Sequence, residues 1–537
     1  MKEHLISILT SLQSNQDFLF VIYMCLAAIV LKARNGHVLT SKLLLYVATS
    51  VSVLLIAAYL ATLVAYLLYP SYLDHVEATV TSIAWLGMHG HALYPNWVSD
   101  DIYGLVYGPV LYLLQGLFLL IEPTITTSKV LGVASLLIAF CLIFVVIKQK
   151  LASNLTSFLY IASLVMLFVP FGPFAYWTRA EPFLILINVL ALLAAIKLRP
   201  RAASAVIGIL AGIATGFKLH GFIYVAPMAV MTLVQAKTAR DRIILAVIGV
   251  ACAIIFAFLP FCLKESSLVG YWQYLNIAAH HRFAPDAFRA NLLFALAIFS
   301  PIVGIWFWRK PALNHTEFWL LAGLSISVAI AVCIGSISGP YHLLPFVPLC
   351  LYVATIMAAA PGRQSKPAPR ETIAIIFIVL LLAYGPGGFI IHFRLLTDYY
   401  RNSQAERDKI LELQRDLAAY PDAQIGISDD GHYSDTYYRI FSVLKGYPLH
   451  VDFAAWEDLA YVGVDEKYVI RFIEACEVPS WILPLGAPFT KLSWYTKQPI
   501  LSDDFRRIFR MNYKLIQLGQ AYQVWGCRSS GEGADQN

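Results

Sequence analysis

Long apolar blocks limit the possible folds of this chain more than any other feature of its sequence. A helix needs roughly 20 apolar residues to cross the 30 Å hydrocarbon core of a bilayer. Candidate spans of 15 to 27 residues lie at 17–32, 43–69, 129–147, 152–171, 183–197, 203–217, 222–236, 243–262, 290–308, 317–335, 342–360 and 371–390. Only 13% of the residues are charged, whereas soluble domains carry about 25%. The pattern predicts a mainly α, polytopic membrane helix bundle of about 12 or 13 transmembrane helices.

The basic residues between these spans indicate which loops face the cytoplasm. Lys and Arg are concentrated in alternate loops, and such loops are normally cytoplasmic. The bias places loop 70–108, loop 263–289 and everything after about residue 391 on the outer, periplasmic face of the inner (plasma) membrane. It also accounts for the net charge of +6 without a nucleic-acid partner. Because Lys32 and Arg34 follow the first block instead of small residues, we expect no cleavable signal peptide.

Residues 109–121, "PVLYLLQGLFLLI", are apolar but short. A full crossing here would move every later loop to the other side and remove the charge bias. We interpret the segment as re-entrant or interfacial, buried against protein. The alternative is that residues 109–121 cross the membrane fully and that a further, unrecognised transmembrane helix elsewhere restores the sidedness of the later loops.

The sequence divides into a membrane domain at 1–390 and a more polar region at 391–537. In the second region "QIGIS" and "WILPL" predict strands, "DEKYVIRFIEAC" predicts an amphipathic helix and "LIQL-GQ-AYQVW" predicts a hairpin. We expect a small soluble α/β domain on the outer face. Its only cysteines, Cys476 and Cys527, could form a disulfide in an oxidising compartment. Two unpaired thiols are the alternative, because spacing does not fix connectivity.

The predicted outer loops contain carboxylates in one place and cations in several others. Loop 70–108 has four acids and no Lys or Arg. The acids are Asp74, Glu77, Asp100 and Asp101, and the polar residues of the other outer turns include Arg179, Glu181, Lys218, His220, His280, His281, Arg282, Arg289, Tyr341 and His342. Reaction of a lipid phosphate with a hydroxyl needs cations for the phosphate and a carboxylate for the proton. Lys218 lies in the middle of an apolar hairpin, where an ionisable residue is costly and by default a functional candidate.

Each of these elements also has a structural interpretation. Asp74 and Glu77 could cap a helix, because its dipole favours acids in the first turn. The absence of a basic partner in their loop favours a functional role instead. Arg179 and Lys218 could extend along apolar surface to reach the interface. The aromatic residues of 271–283 are typical of an interfacial belt, although they could border a sugar.

Metal binding has little support in the sequence. Asp100 and Asp101 form either a turn or part of an acceptor or metal site, but a lone Asp-Asp pair is weak evidence for a divalent cation. Cys and His spacings typical of zinc are absent from the sequence. We expect no cofactor, because the basic side chains already supply positive charge.

Five motifs occur in a characteristic order: "G-x-x-LYP", "YGPVLYLL", "TRAEPFLILINVLALLAA", "FKLHGFIYVAPM" and "GPYHLLPFVPLCLYVA". Together they resemble the GT-C superfamily of polyprenyl-phosphate-dependent glycosyltransferases. Within this superfamily, the motifs resemble those of bacterial protein O-mannosyltransferase-like enzymes and of the lipid A aminoarabinose transferase. The resemblance covers roughly residues 43–390. It implies a helix bundle with its active site at the outer interface under the first large loop, and it agrees with a periplasmic C-terminal domain.

The resemblance also implies which acid is catalytic. Many members have adjacent Asp and Glu residues just after the helix that precedes the loop. Here Asp74 and Glu77 are separated by two residues. Counting back from Gly90, Glu77 is nearest to the expected acid. We therefore predict Glu77 as the general base, with Asp74 as the second candidate.

The donor side is implied in the same way. Arg179 with Glu181 stands where relatives have an Arg-x-Asp pair, and Lys218 stands where relatives have Lys before a polar residue. We expect these residues to face the donor phosphate or sugar. His220, Arg282, Tyr341 and His342 are expected to line the same site.

The predicted function is transfer of a single sugar, with inversion, from a polyprenyl-phosphate donor to a hydroxyl of a glycan, lipid or protein acceptor. A lipid-linked oligosaccharide transporter or flippase is the alternative, since it would use the same cations without a base. Transporters often have paired internal repeats, and the sequence has none. A membrane scaffold with a periplasmic binding domain is a third possibility.

Overall fold

The computed structural model describes residues 41–151, 153–280, 283–335, 339–360, 369–428, 438–493 and 495–528. The predicted span at 17–32, and the predicted site residue Arg282, lie outside the described residues. The helices are α1 (Ser41–Leu68), α2 (His75–Met88), α3 (Pro109–Leu119), α4 (Ile125–Leu151), α5 (Asn154–Phe168), α6 (Ala180–Lys197), α7 (Pro200–Phe217), α8 (Ala226–Val234), α9 (Ala239–Phe258), α10 (Leu268–Ala279), α11 (Pro285–Arg309), α12 (His315–Ile334), α13 (Val347–Ala359), α14 (Pro369–Ala419), α15 (Arg439–Val443), α16 (Phe453–Tyr461), α17 (Lys467–Glu474) and α18 (Asp503–Asn512). The strands are β1 (Ala423–Ile425), β2 (Ser480–Pro484), β3 (Tyr513–Leu518) and β4 (Tyr522–Cys527).

Nine helical segments in the described part of the chain are long and apolar enough to cross a membrane. Each corresponds to a predicted span, and the predicted spans at 222–236 and 371–390 correspond to shorter apolar helices, Leu219–Val234 and Glu371–Leu381. The mainly α, multi-pass membrane fold with a small C-terminal sheet is therefore confirmed. Helix α3 has 11 residues, about 17 Å at 1.5 Å per residue, so it is too short to cross the hydrocarbon core.

The chain forms two compact units, which we call the helical unit and the mixed unit. The helical unit comprises residues up to Leu67, Gly132–Leu259 and Arg282–Asp398. The mixed unit comprises Leu68–Leu131, Pro260–His281 and the chain from Tyr399. Loop 70–108 and the first part of loop 263–289 thus belong to the same unit as the C-terminal sheet.

In the helical unit, glycines bring α7 and α9 into close contact. A Cβ atom at Gly208 would lie 2.2 Å from the carbonyl oxygen of Gly249, and one at Gly212 would lie 2.5 Å from that of Ala253. Small residues at such positions let membrane helices approach closely enough for van der Waals packing to hold them. The packing fixes α7, and Lys218 directly follows its last residue.

The mixed unit contains a four-stranded sheet in the order β1-β2-β4-β3. Strands β3 and β4 form the predicted hairpin, and β1 pairs with β2 in parallel. Apolar side chains from the C-terminal part of α14, among them Leu413 and Leu417, pack on Ile482 and Val524 of this sheet. Cys476 and Cys527 form a disulfide, so the alternative of two unpaired thiols does not apply.

Candidate active site

Six of the predicted site residues lie in the helical unit, at the ends of helices. Arg179 precedes α6, and Glu181 is in the first turn of that helix. Lys218 lies between α7 and the 3-10 turn Leu219–Tyr224. The helix dipole favours an acid such as Glu181 at the N-terminus of α6 and a cation such as Lys218 at the C-terminus of α7. The remaining three residues are His220, Tyr341 and His342, which lie on 3-10 turns.

A buried ion pair lies at the centre of this group. The Lys218 Nζ donates to Glu181 Oε1 at 2.5 Å, and the two side chains are 8% and 1% exposed. The same ammonium is 3.1 Å from Nδ1 of His342. Since an ammonium only donates, Nδ1 accepts, and a neutral His342 therefore carries its proton on Nε2. The Tyr224 hydroxyl donates to the carbonyl of His342 at 2.8 Å and fixes this turn.

Aromatic rings hold the second cation, Arg179. Its Cζ atom lies 4.1 Å from the ring centroid of Trp177 and 5.7 Å from that of Tyr341. The Lys218 Nζ lies 5.8 Å from the Tyr341 centroid as well. Trp177 also donates its indole N–H to Glu181 Oε2 at 2.9 Å. Ring faces attract cations, so these rings stabilise two positive side chains close together.

The composition of this cation cluster (Arg179, Glu181, Lys218, His220, Tyr341 and His342) suits an anionic ligand. With Arg179, Lys218 and Glu181 ionised, the cluster carries one positive charge in excess. Counted over all atoms of the residue, Arg179 is 9% and Lys218 is 6% exposed. Charge-assisted hydrogen bonds are strong where water is largely excluded. The cluster therefore has the chemistry to bind a phosphate at the ends of apolar helices.

The two predicted carboxylates lie in the mixed unit, where they form a capping box at the start of α2. Asp74 is the N-cap and accepts from Val76 N at 2.6 Å through Oδ1. Glu77 Oε2 accepts from Leu73 N at 3.0 Å and from Asp74 N at 3.3 Å. Glu77 is fully buried, whereas the Asp74 side chain is 20% exposed. Of the two, only Asp74 has a carboxylate that solvent reaches.

Lys129, which no local sequence pattern singles out, lies in the same unit. It is fully buried in the first turns of α4, and its Nζ donates to the carbonyls of Tyr69 at 2.8 Å and Ser71 at 2.5 Å. It is close enough to Glu77 for the two charges to interact. The absence of a basic partner within loop 70–108 therefore does not leave Glu77 uncompensated. The depth argument that selects Lys218 does not select Lys129, because Lys129 is the first residue of the candidate span 129–147.

Tyr72 links the segment before α2 to α2 and α4. Its hydroxyl is hydrogen-bonded to Thr81 and Ser128, each at 2.8 Å. Burial raises the pKa of this phenol well above its ordinary value, so it stays neutral and acts as a fixed hydrogen-bonding group.

The acidic pair Asp100 and Asp101 makes contacts within the mixed unit. Asp101 Oδ1 lies 2.8 Å from Nδ1 of His450, and the carbonyl of Asp100 accepts from the Arg471 guanidinium. In the part of the chain that the structure describes, no group of three or more His, Cys, Asp or Glu residues could hold a metal ion. These contacts hold Asp100 and Asp101 within the loop. The expectation that the protein needs no metal or cofactor stays a prediction.

The aromatic residues of 271–283 separate into two groups. Trp272 and Phe283 are exposed, as expected of an interfacial belt. Tyr271 and Tyr274 are buried, and the Tyr274 hydroxyl donates to the carbonyls of Tyr103 at 2.7 Å and Pro95 at 3.2 Å. Tyr274 thus holds the backbone of loop 70–108.

The fold is shared with solved membrane proteins of low sequence identity. ArnT from Cupriavidus metallidurans, a lipid A aminoarabinose transferase, aligns in its complex with undecaprenyl phosphate with a TM-score of 0.52 and 11% identity, over 90% of this chain and 99% of that chain. Its apo structure gives a TM-score of 0.54 and 11% identity, over 89% and 98%. Oligosaccharyltransferase AglB from Archaeoglobus fulgidus reaches a TM-score of only 0.44, with 12% identity over 80% and 69%. No protein-family model and no curated protein sequence matches the chain.

The likeness to ArnT extends over nearly the whole of both chains. The helix-bundle architecture that the sequence motifs predict is therefore confirmed as a fold, which this chain shares with ArnT. At 11% identity the likeness concerns the fold, and the activity of this chain has to be argued from its own residues.

Proposed function

We propose that this protein is a membrane glycosyltransferase that moves a single sugar from a polyprenyl-phosphate donor to an acceptor hydroxyl. The main support is the buried cation cluster, with one positive charge in excess at the ends of membrane helices. A second support is the fold shared with ArnT, which has been crystallised with undecaprenyl phosphate. A phosphate carrying a long apolar tail suits cations beside apolar helices. The acceptor would be a glycan, lipid or protein on the periplasmic face of the inner membrane.

In the proposed reaction, the acceptor oxygen attacks the anomeric carbon on the side opposite the phosphate, so the configuration inverts. A bond from the anomeric carbon to the acceptor oxygen forms, and the bond to the phosphate oxygen breaks. Polyprenyl phosphate leaves, and a carboxylate takes the acceptor proton. Negative charge on the phosphate grows in the transition state, so Arg179 and Lys218 would bind that state more strongly than the donor.

We assign the general base to Asp74 and not to Glu77. A base must come within hydrogen-bonding distance of the proton it removes. Glu77 is buried, and its Oε2 already accepts two backbone N–H groups, so its role is to cap α2 and hold Asp74. Asp74 lies at the end of the helix with an accessible side chain.

Asp74→Asn tests the assignment without disturbing the helix, because Asn and Asp are equally good N-caps. Loss of a general base should lower kcat by about 10²- to 10⁴-fold. Binding of undecaprenyl phosphate, measured by native mass spectrometry, should be unchanged. Asp286→Asn is the matched control, since Asp286 is an exposed acid in the first turn of α11.

Turnover should be measured as release of polyprenyl phosphate from sugar-loaded lipids, in the presence of cell-envelope acceptors. Mass spectrometry of the lipids that co-purify with the protein should identify the sugar. If Asp74→Asn retains kcat within about threefold, another group is the base. If the wild-type protein moves lipid-linked sugars across vesicles without transferring them, it is a transporter and the proposed function is wrong.

A further inference from the structure

A buried network in the mixed unit joins the C-terminal region to the first turn of α2. The Arg439 Nε donates to Asp452 Oδ2 at 2.6 Å, and Arg439 Nη2 donates to the carbonyl of His75 at 2.7 Å. The same Nη2 is hydrogen-bonded to Thr79 Oγ1, which in turn donates to Asp452 Oδ2 at 2.9 Å. One guanidinium therefore contacts a carboxylate, a hydroxyl and a helix carbonyl.

The network is fully enclosed by protein. Arg439 is 3% exposed, and Asp452 and Thr79 are 0% exposed. The other oxygen of Asp452 accepts from the backbone of Ala454 at 2.9 Å and Ala455 at 3.2 Å. Every oxygen of this carboxylate thus has a partner. Such satisfied networks are rigid and fix one arrangement of the elements they connect.

Stability alone does not explain a buried ion pair at this place. Replacing such a pair by apolar residues of similar volume is often neutral or stabilising. What the pair adds is geometry, because the planar guanidinium holds its partners in fixed directions. Here the partner is the carbonyl of His75, the residue next to Asp74.

Further contacts between the same two regions hold the rest of loop 70–108. The backbone N–H of Ile102 donates to the carbonyl of His450 at 2.7 Å, and that of Asp452 donates to the carbonyl of Ile102 at 2.8 Å. Arg471 donates to the carbonyl of Val98 at 2.6 Å. The Arg439–Asp452 ion pair is therefore one of several contacts between the C-terminal region and loop 70–108.

We propose that Arg439 and Asp452 are positioning residues that hold the first turn of α2, and thereby fix the carboxylate of Asp74 for proton removal. The proposal rests on the proposed glycosyltransferase function. It assigns the C-terminal region an active part in the reaction, through the backbone of α2.

Two variants test the network. Arg439→Lys keeps the positive charge but loses the planar guanidinium that contacts Asp452, Thr79 and the carbonyl of His75. Thr79→Val keeps the shape of the side chain but removes the hydroxyl that is hydrogen-bonded to both Arg439 and Asp452. The matched control is Arg507→Lys, because Arg507 forms an exposed ion pair with Asp504 at 3.2 Å. Folding of the mixed unit is checked by complete formation of the Cys476–Cys527 disulfide, measured from the mass after thiol alkylation.

Both test variants should lower kcat by about 10- to 100-fold, since a displacement near 1 Å costs about that much. The donor KM should stay within about threefold, and amide hydrogen exchange in residues 75–80 should become faster. The control should match the wild type in all three measurements. A purely structural role would instead lower the amount of folded protein and leave kcat of the folded fraction unchanged.

The inference fails if kcat of folded Arg439→Lys and Thr79→Val equals that of the wild type, or if exchange at 75–80 does not change. If the wild type transfers sugar and both variants have the wild-type kcat, this inference is wrong but the proposed function stands. Absence of any sugar transfer by the wild type overturns the proposed function and this inference with it.

Discussion

Removing Lys218 should have two effects that a second mutation can separate. In Lys218→Met the carboxylate of Glu181 stays buried, at 1% exposure, without the ammonium that lies 2.5 Å away. Breaking a buried pair in this way costs about 3–5 kcal/mol of stability. Adding Glu181→Gln removes the carboxylate that has lost its nearest cation, and Gln can still accept from Trp177. The double variant should therefore regain most of the lost stability.

Ligand binding should behave differently from stability. If Lys218 contacts the donor phosphate, its loss removes a charged hydrogen bond worth about 1.5–3 kcal/mol, which is about 10- to 150-fold in Kd. The second mutation cannot restore that contact. Stability is measured by unfolding in mixed detergent, and Kd by titration with undecaprenyl phosphate. Lys197→Met, at an exposed lysine that ends α6, should change neither value.

Recovery of donor affinity in the double variant would refute the reasoning. Lys218 would then act only as the counter-ion of Glu181. The same conclusion would follow if Lys218→Met lost stability but bound undecaprenyl phosphate with wild-type affinity.

Four further outcomes are expected. Lys129→Met should lower the free energy of unfolding by about 3–5 kcal/mol, because Glu77 then stays buried without its positive partner; thermal unfolding followed by tryptophan fluorescence measures this. Cys476→Ser should cost about 2–4 kcal/mol by removing the disulfide, without changing the affinity for undecaprenyl phosphate. Gly104→Ala should cost about 1–3 kcal/mol and slow turnover, because its Cβ would lie 2.5 Å from the ring of Tyr274 in a backbone with φ of +139°; a wild-type melting temperature would contradict this. Chelation with EDTA should leave kcat unchanged, since cationic side chains are proposed to supply the positive charge; restoration of lost activity by Mg²⁺ would instead show a metal requirement.

Local signals in the sequence predicted much of the fold. The spans were predictable because crossing hydrocarbon requires a run of apolar residues, whatever the rest of the chain does. The β3–β4 hairpin was predictable because alternating side chains and a turn containing Gly519 lie within a short segment. Lys218 was found because a charge inside an apolar hairpin is costly without a partner.

The residues that were missed depend on distant partners. Lys129 stands at the edge of an apolar block, so the local pattern indicates only the start of a span. The environment of Glu77 depends on this lysine and on the burial of α2, and neither is visible in the loop itself. Arg439 and Thr79 are 360 residues apart in the chain, and no local pattern connects them.

This separation also has a consequence for biosynthesis. Chains grow from the N-terminus at about 5–20 residues per second, so Arg439 is made about 20 to 70 s after Thr79. During that time α2 is already synthesised, while the guanidinium that holds its first turn does not yet exist. Chains that end before Arg439 would carry the carboxylate and the cation cluster but remain inactive. The last quarter of the chain would then act as a checkpoint that delays activity until synthesis is nearly complete.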